Sequence, residues 1–179
     1  QGVRDVPNAT PDTWYQYGRT QALTAFINTP KLIVGVLSKE PMYILDTNDI
    51  LIASGGTAGY CAVSKKEGSP YALEYLQAWL SNPITENILE IVGSDFENGF
   101  IARGTFVLST LPFVELDFSD RKQREIHDSV VAASRRIYSI NAELMNHPAK
   151  RIATVLQDEK NSLIHKIQGL IEKVYRLEY

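Results

Sequence analysis

Residues 126–144 read IHDSVVAASRRIYSINAEL. Their apolar members Ile126, Val130, Ala133, Ile137, Ile140 and Leu144 step by 4, 3, 4, 3 and 4 residues. That is the spacing of a heptad seam along one face of a long helix. Ser119, followed by Lys122 and Gln123, marks the helix start, and His147-Pro148 breaks the pattern. A second stripe follows: Ile152, Leu156, Leu163, Ile167, Leu170, Val174 and Leu177. Its one long step spans Glu159 and Lys160, a polar interruption. Two helices of roughly 25 residues, each about 37 Å long, joined by so short a turn, should pack antiparallel as a hairpin. A two-helix coil is marginal alone, so it must rest on the preceding chain.

The preceding chain has a different grammar. Lys31–Leu37 is apolar and β-branched, Pro41 interrupts it, and Met42–Leu45 resumes it. Asp46-Thr47-Asn48-Asp49 is turn chemistry and signals a hairpin into Ile50–Ala53. A glycine-rich loop leads on to Tyr60–Ser64. Helices are expected over Tyr71–Leu80 and over Ile84–Val92, the latter opened by Pro83. Gly93, Gly99 and Gly104 punctuate two expected strands, Phe100–Arg103 and Thr105–Ser109, and Phe113–Leu116 forms a last one after Pro112. Residues 1–30, with three prolines and the aromatics Trp14, Tyr15 and Tyr17, read as an irregular arm with a short helix near Gln21–Ile27. The expected fold class is α+β (mixed α/β). A small mixed or antiparallel sheet unit with short helices occupies 1–118, including the arm 1–30, and the helical hairpin occupies 119–179.

Composition bounds the function. The chain has 179 residues, 44% of them hydrophobic and 22% charged, which suits a globular domain and excludes global disorder. No run approaches the roughly 18 apolar residues of a membrane helix, and the first residues lack a signal peptide's apolar core. The expected compartment is the cytoplasm. Cys61 is the only cysteine, so no internal disulfide or Cys/His zinc cluster is available, and it reads as a small buried hydrophobe. Net charge is −3, with residues 1–110 carrying 7 Lys/Arg against 11 Asp/Glu and residues 111–179 carrying 11 against 10. Any anion-binding face must come from local clustering.

The sequence contains no GxxxxGK[ST] phosphate loop, GxSxG elbow, HExxH or CxxC, and no Asn/Asp-Pro-Pro-Tyr/Phe segment to hold a target amine. Pro11-Asp12 with Asp120-Arg121-Lys122 matches a nuclease constellation in letters, but the spacing and helical context are wrong. No catalytic residue or metal ligand is assigned to this chain. Ser54-Gly55-Gly56-Thr57-Ala58-Gly59 can bring backbone N–H groups close to an anion, or can simply connect two strands. Tyr17-Gly18-Arg19-Thr20-Gln21 sets a rigid aromatic beside an Arg, which reads guanine bidentately, and a Gln, which reads adenine. The alternative is an arm packed by its aromatics. Lys39, Lys65-Lys66 and Arg103 are further cationic points in an acidic half; Arg135-Arg136 lies on the polar face of the first long helix, where solvation is the default.

Two of these stretches resemble a known family. Trp14–Gln21 and Leu51–Tyr60 are similar to the TaqI-like C-terminal specificity domain, the target recognition domain of type II adenine methyltransferases and fused type IIG restriction–methylation enzymes. Leu108–Phe113 with Arg121-Lys122-Gln123 resembles the strand-to-helix exit of such domains and of type I specificity subunits, and Ile171–Leu177 their C-terminal helix. The resemblance covers nearly the whole chain. It implies that this chain is the C-terminal piece of a longer polypeptide and reads double-stranded DNA so that a target adenine meets an upstream methyltransferase domain, with or without a fused nuclease. It implies no cofactor here; S-adenosylmethionine, and magnesium for a nuclease, belong to the upstream domains. Tyr17, Arg19 and Gln21 match the arm motif, and Ser54, Gly55, Gly56 and Thr57 the glycine loop. The expected DNA-binding set is these seven with Lys39, Lys65 and Arg103, Tyr17 and Gly55-Gly56 shaping the surface rather than contacting. A different reading is a protein-interaction module whose hairpin assembles with methyltransferase subunits, as a specificity subunit does.

Overall fold

A computed structural model describes residues 26–52, 59–93 and 95–176. The fold is α+β. The central strand β1 (Lys31–Gly35) is buried along its whole length and pairs antiparallel with β3 (Tyr43–Asp46) on one side and β4 (Tyr60–Ser64) on the other. Burial on both faces explains why its sequence is a continuous apolar run rather than an alternation. The chain jogs at Val36 and enters β2 (Leu37–Ser38), which belongs to a second small sheet with β6 (Phe100–Ala102) and β5 (Asp95–Phe96), again antiparallel. Between the sheets come α1 (Leu73–Leu80) and α2 (Pro83–Val92), the latter capped by Asn82, whose Oδ1 accepts from the Ile84 N–H at 2.9 Å.

Two expected strands and a hairpin do not form. Asp46 uses both carboxylate oxygens on the N–H groups of Asn48 and Ile50, at 2.9 Å each. Those amides are therefore withdrawn from any ladder, and residues 50–52 leave β3 without pairing to it; β3 turns instead to β1. Thr105–Ser109, read as a strand from its β-branched residues, is a short helix, α3. Its turn is closed by Leu108 N–H to Gly104 O at 3.0 Å, and the Ser109 and Thr110 hydroxyls donate to the carbonyls of Phe106 and Val107. Local hydroxyl-to-carbonyl bonds outweighed β propensity. Phe113–Leu116 is extended but unpaired: the Leu116 N–H goes to the Tyr71 hydroxyl at 2.6 Å.

The hairpin follows its pattern closely. Helix α4 (Arg121–Met145) is capped by Asp120, one residue beyond the expected Ser119, and α5 (Lys150–Tyr175) follows a four-residue turn. Val130, Ala133 and Ile140 of the first stripe and Leu156, Ile167 and Val174 of the second are buried, together with Ile171, which the heptad spacing omits. At the polar interruption, the Arg136 guanidinium grips Glu159 across the pair, at 2.7 and 2.8 Å, and Glu143 along its own helix at 2.7 Å. Arg136 and Glu159 stand equally far along the chain from the His147–Pro148 turn, which fixes the antiparallel register. Arg135, one position away, reaches Glu74 of α1 at 2.8 Å. These arginines are partnered rather than merely solvated, although exposed pairs of this kind contribute little to stability.

One apolar core joins the hairpin to the rest, running from Leu32 and Val34 through Leu73, Trp79 and Leu89 to Val130, Ile167 and Ile171. His127, buried at the start of α4, accepts the Ala72 N–H on Nε2 at 3.1 Å, serving the first turn of α1. Its Nδ1 faces Asp128 Oδ1 at 2.9 Å, which sets the proton on Nδ1. Tyr71, Tyr75 and Phe118 enclose its ring. The Trp79 indole N–H donates to the Tyr175 hydroxyl at 2.9 Å, fastening the end of α5 to α1.

One fully buried ion pair and one largely buried pair make testable demands. Lys31 lies opposite Asp46 in the β1–β3 register, with Nζ 2.7 Å from Oδ2 and both side chains fully buried. The Lys31 hydrogen bond, then the backbone N–H groups of Asn48 and Ile50, hold the Asp46 carboxyl below its ordinary range. A depressed carboxylate contributes stability in full above its unfolded value, about 3.9, and loses it as pH falls through the folded value. Asp46→Asn should therefore lower stability at pH 7 and flatten the fall in stability below pH 4, as read by denaturant titrations across pH; an unchanged acid limb would contradict this. Arg103, 1% exposed, pairs with the largely covered Glu86 at 2.6 Å, and Arg103→Ala should cost about 3 kcal/mol, because it strands that acid. A loss below about 1 kcal/mol in urea unfolding would show that the Glu86 charge finds another partner.

Candidate functional site

Val36 holds together one end of the β unit. Its N–H donates to Gly59 O at 2.9 Å, and its carbonyl accepts the Arg103 N–H at 2.7 Å. It thereby joins the start of β4 to the end of β6. Gly59 and Tyr60 stand at this end, since Gly35 pairs with Tyr60 in the β1–β4 register. Lys39 follows β2 at the same end, exposed, with its ammonium 5.3 Å from the centre of the Phe100 ring. A cation over an aromatic face is held in place while its N–H donors stay available to an anion.

Two more aromatics are displayed here. Tyr60 is exposed beside the loop base, and Phe106 is 80% exposed on α3, just after Gly104, where an added Cβ would sit 3.6 Å from Val36. Phe100 itself follows the turn at Asn98 and Gly99, both at positive φ. Sequence reading passed over all three as strand residues. Their common signal is legible in retrospect: each stands one or two places after a glycine, Gly59, Gly99 or Gly104. Glycines that shape the backbone leave the next bulky side chain displayed at the edge.

Arg103, an expected DNA contact, is instead withdrawn from the surface: the residue is 1% exposed and its guanidinium is consumed inside the fold. Nη2 meets Glu86 Oε2 at 2.6 Å, and Nη1 donates to the Ser38 carbonyl at 2.6 Å and hydroxyl at 3.1 Å. The Tyr43 hydroxyl donates to the same Glu86 carboxylate at 2.8 Å. Burial, then the negative charge of Glu86, pushes the Tyr43 phenol far above its ordinary range. The next carbonyl along this system, Arg103 O, lies 4.0 Å from Cys61 Sγ. Burial raises the Cys61 thiol, which disfavours its thiolate form.

Lys65 lies elsewhere. It leaves β4 at the Ser64 end, which pairs with Lys31, roughly 13 Å from Tyr60 at 3.3 Å per residue. With Lys66 it borders a cleft of about 500 Å³ whose other wall carries Tyr71, Phe113 and Glu115. Lys39 and Lys65 therefore occupy opposite ends of the sheet. Tyr17, Arg19, Gln21, Ser54, Gly55, Gly56 and Thr57 lie outside the described residues; Gly59, which follows the glycine loop in the chain, stands at the Lys39 end.

Among the described residues there is no group of three or more His, Cys, Asp or Glu side chains that could hold a metal ion, and no helix long and apolar enough to cross a membrane. No family model matches the chain. A curated relative does: over 165 residues, or 90% of its length, the chain is 34% identical to the type II restriction enzyme and methyltransferase RM.Eco57I of Escherichia coli. The match spans only 16% of that relative, so the chain is similar to one portion of a much longer restriction–modification enzyme.

Proposed function

We propose that this chain is the target recognition domain of a restriction–modification adenine methyltransferase, reading a specific sequence in double-stranded DNA for catalytic domains outside it. The observation that carries this reading is the near-full-length similarity to a small part of a restriction enzyme and methyltransferase. The surface chemistry adds to it. A cation steadied on Phe100, the exposed Tyr60 and Phe106, and Gly59, next after the Ser-Gly-Gly-Thr loop in the chain, share one end of the β unit. Ammonium groups serve phosphates, and aromatic faces serve bases or sugar edges. Lys39 is the phosphate contact in this reading, Lys65 borders a second one, and Arg19 and Gln21 of the arm carry base readout.

Methyl transfer, the S-adenosylmethionine it consumes, and any magnesium-dependent cleavage are placed in the absent domains. This chain would hold the duplex in register so that the target adenine reaches them. The second reading, assembly with methyltransferase subunits, rests on one observation. Met145, Ile152 and Val155 are 77%, 54% and 60% exposed near the turn of the hairpin, while the second stripe beyond Ile152 is buried or half-buried from Leu156 to Val174. Such a tip suits a contact with the catalytic domain and is compatible with DNA reading at the other elements.

Selection from a random duplex pool by the 179-residue chain, at low and near-physiological salt, separates these readings. Enrichment of one short motif containing an adenine is the expected result. Absence of binding at low salt, with binding restored only as part of a full-length protein that selects no motif through this region, would refute recognition by this chain. On the selected duplex, Arg19→Ala should cost about 1–3 kcal/mol and relax specificity, as a lost bidentate base contact does. Lys39→Ala should weaken all sequences alike and reduce the salt slope by about 1. Equal salt slopes for Lys39→Ala and the unaltered chain would remove Lys39 from the phosphate contacts.

A further inference from the structure

The two outer edges of the first sheet are finished differently. In an antiparallel ladder, hydrogen-bonded residue pairs alternate with unbonded ones. The Gly35 N–H donates to Met42 O at 3.1 Å, so Tyr43 and Leu45 of β3 turn their backbone groups outward. That edge is covered: α1 packs along it, and Gln77 Nε2 donates to the outward Tyr43 carbonyl at 2.7 Å. On the other side, the bond from Val36 N–H to Gly59 O at 2.9 Å sets the phase, which makes Val34–Cys61 and Leu32–Val63 the bonded pairs. The N–H and C=O groups of Tyr60, Ala62 and Ser64 therefore point away from β1.

Among the described residues, no backbone hydrogen bond takes these groups, and β1 is the one element with which β4 makes more than slight contact. The strand Tyr60-Cys61-Ala62-Val63-Ser64 holds no charge and no proline, two of the devices by which native edges refuse a further strand. Cys61 and Val63 pack against the core, so an added strand would also find an apolar side. The Ser64 end of the edge runs into the cleft of about 500 Å³, which Tyr71 and Phe113 line together with Lys65 and Lys66. Both lysines are exposed, and no ion pair among the described residues uses either of them. Glu115 is the one acid on that lining.

We propose that the outer edge of β4 receives an extended peptide strand of a protein partner, paired antiparallel and acidic at its N-terminal end. Antiparallel pairing continues the pattern of the sheet and brings the N-terminal end of the added strand to Lys65 and Lys66. Main-chain bonds to Tyr60, Ala62 and Ser64 supply the grip, and the two lysines supply the choice of partner. A second copy of the chain matches this edge poorly, because pairing about Ala62 would set the uncharged Gly59 opposite Lys65. Base readout takes no part in the proposal.

The probe is the blocked peptide acetyl-Glu-Asp-Thr-Val-Thr-Val-Thr-amide, titrated into the ¹⁵N-labelled 179-residue chain. No DNA is present, so failure here leaves the recognition reading standing. The expected result is saturable movement of the Tyr60, Ala62 and Ser64 amide signals with a Kd at or below about 1 mM, and slower hydrogen exchange at Ala62 and Ser64. A peptide N-methylated at its third and fifth residues, whose amides face β4, should bind tenfold or more weakly, as should one beginning Lys-Lys. The Ala62 N–H points outward, so Ala62→Pro spares the β1 ladder and should weaken the acidic peptide at least tenfold. Lys65→Glu with Lys66→Glu, both exposed, should invert the preference towards the Lys-Lys peptide even if the proline variant fails to fold. No movement of these amides at about 10 mM peptide, or equal binding of the N-methylated peptide, would overturn the proposal. So would protection of the same amides in the peptide-free chain: concentration-dependent, with doubled mass, it would assign the edge to a second copy, and concentration-independent, to the chain itself.

Discussion

The β unit depends on one largely covered carboxylate. Glu86 of α2 receives the Arg103 guanidinium and the Tyr43 hydroxyl at once, and Arg103 passes its remaining donors to Ser38. Tyr43 belongs to the first sheet, Ser38 to the second, and Arg103 to the exit from the second sheet, so a single network pins both sheets to one helix. Removing charges from water is costly, and the network is tolerable because nearly every donor and acceptor in it is matched. What it secures is geometry. Strands of two to five residues have little pairing energy of their own, and their relative placement sets the end from which Lys39 and Tyr60 emerge.

The hairpin supports that unit differently. Its seam is apolar and local, and its attachment to the body uses a few directed bonds: His127 to the start of α1, Trp79 to Tyr175, and Arg135 to Glu74. The aromatic cluster of Tyr71, Tyr75, Phe113, Phe118 and His127 fills the junction. Because the core is continuous across this junction, the hairpin completes the fold and is not a loose appendage.

Periodic elements were legible and contextual ones were not. The α4 and α5 stripes carry their spacing over some 25 residues each, enough for period and length to decide; β1, β4, α1 and α2 likewise stood out between strong punctuation. The misreadings occurred where one side chain redirected the backbone. Asp46 captured two amides and ended a hairpin, and the hydroxyls of Ser109 and Thr110 closed a helical turn in a β-branched segment. Arg103 misled for a related reason: its partner Glu86 lies 17 residues away, and nothing in a linear reading announces a buried ion pair. Lys39 was visible as an isolated charge, but its placement over Phe100 and its separation from Lys65 follow only from the register of β1, β2 and β4.

Similarity to one sixth of a restriction enzyme and methyltransferase leaves a sharp division of labour to test: catalysis elsewhere, sequence choice here. Exchange of parts tests it most directly. The matching portion of the Escherichia coli enzyme would be replaced by this chain, and the methylated sites of the hybrid mapped on genomic DNA. Methylation that moves from the parent enzyme's site to a new adenine-containing motif is the result predicted. An active hybrid that still methylates the parent's site would contradict the central claim and place sequence choice outside this chain.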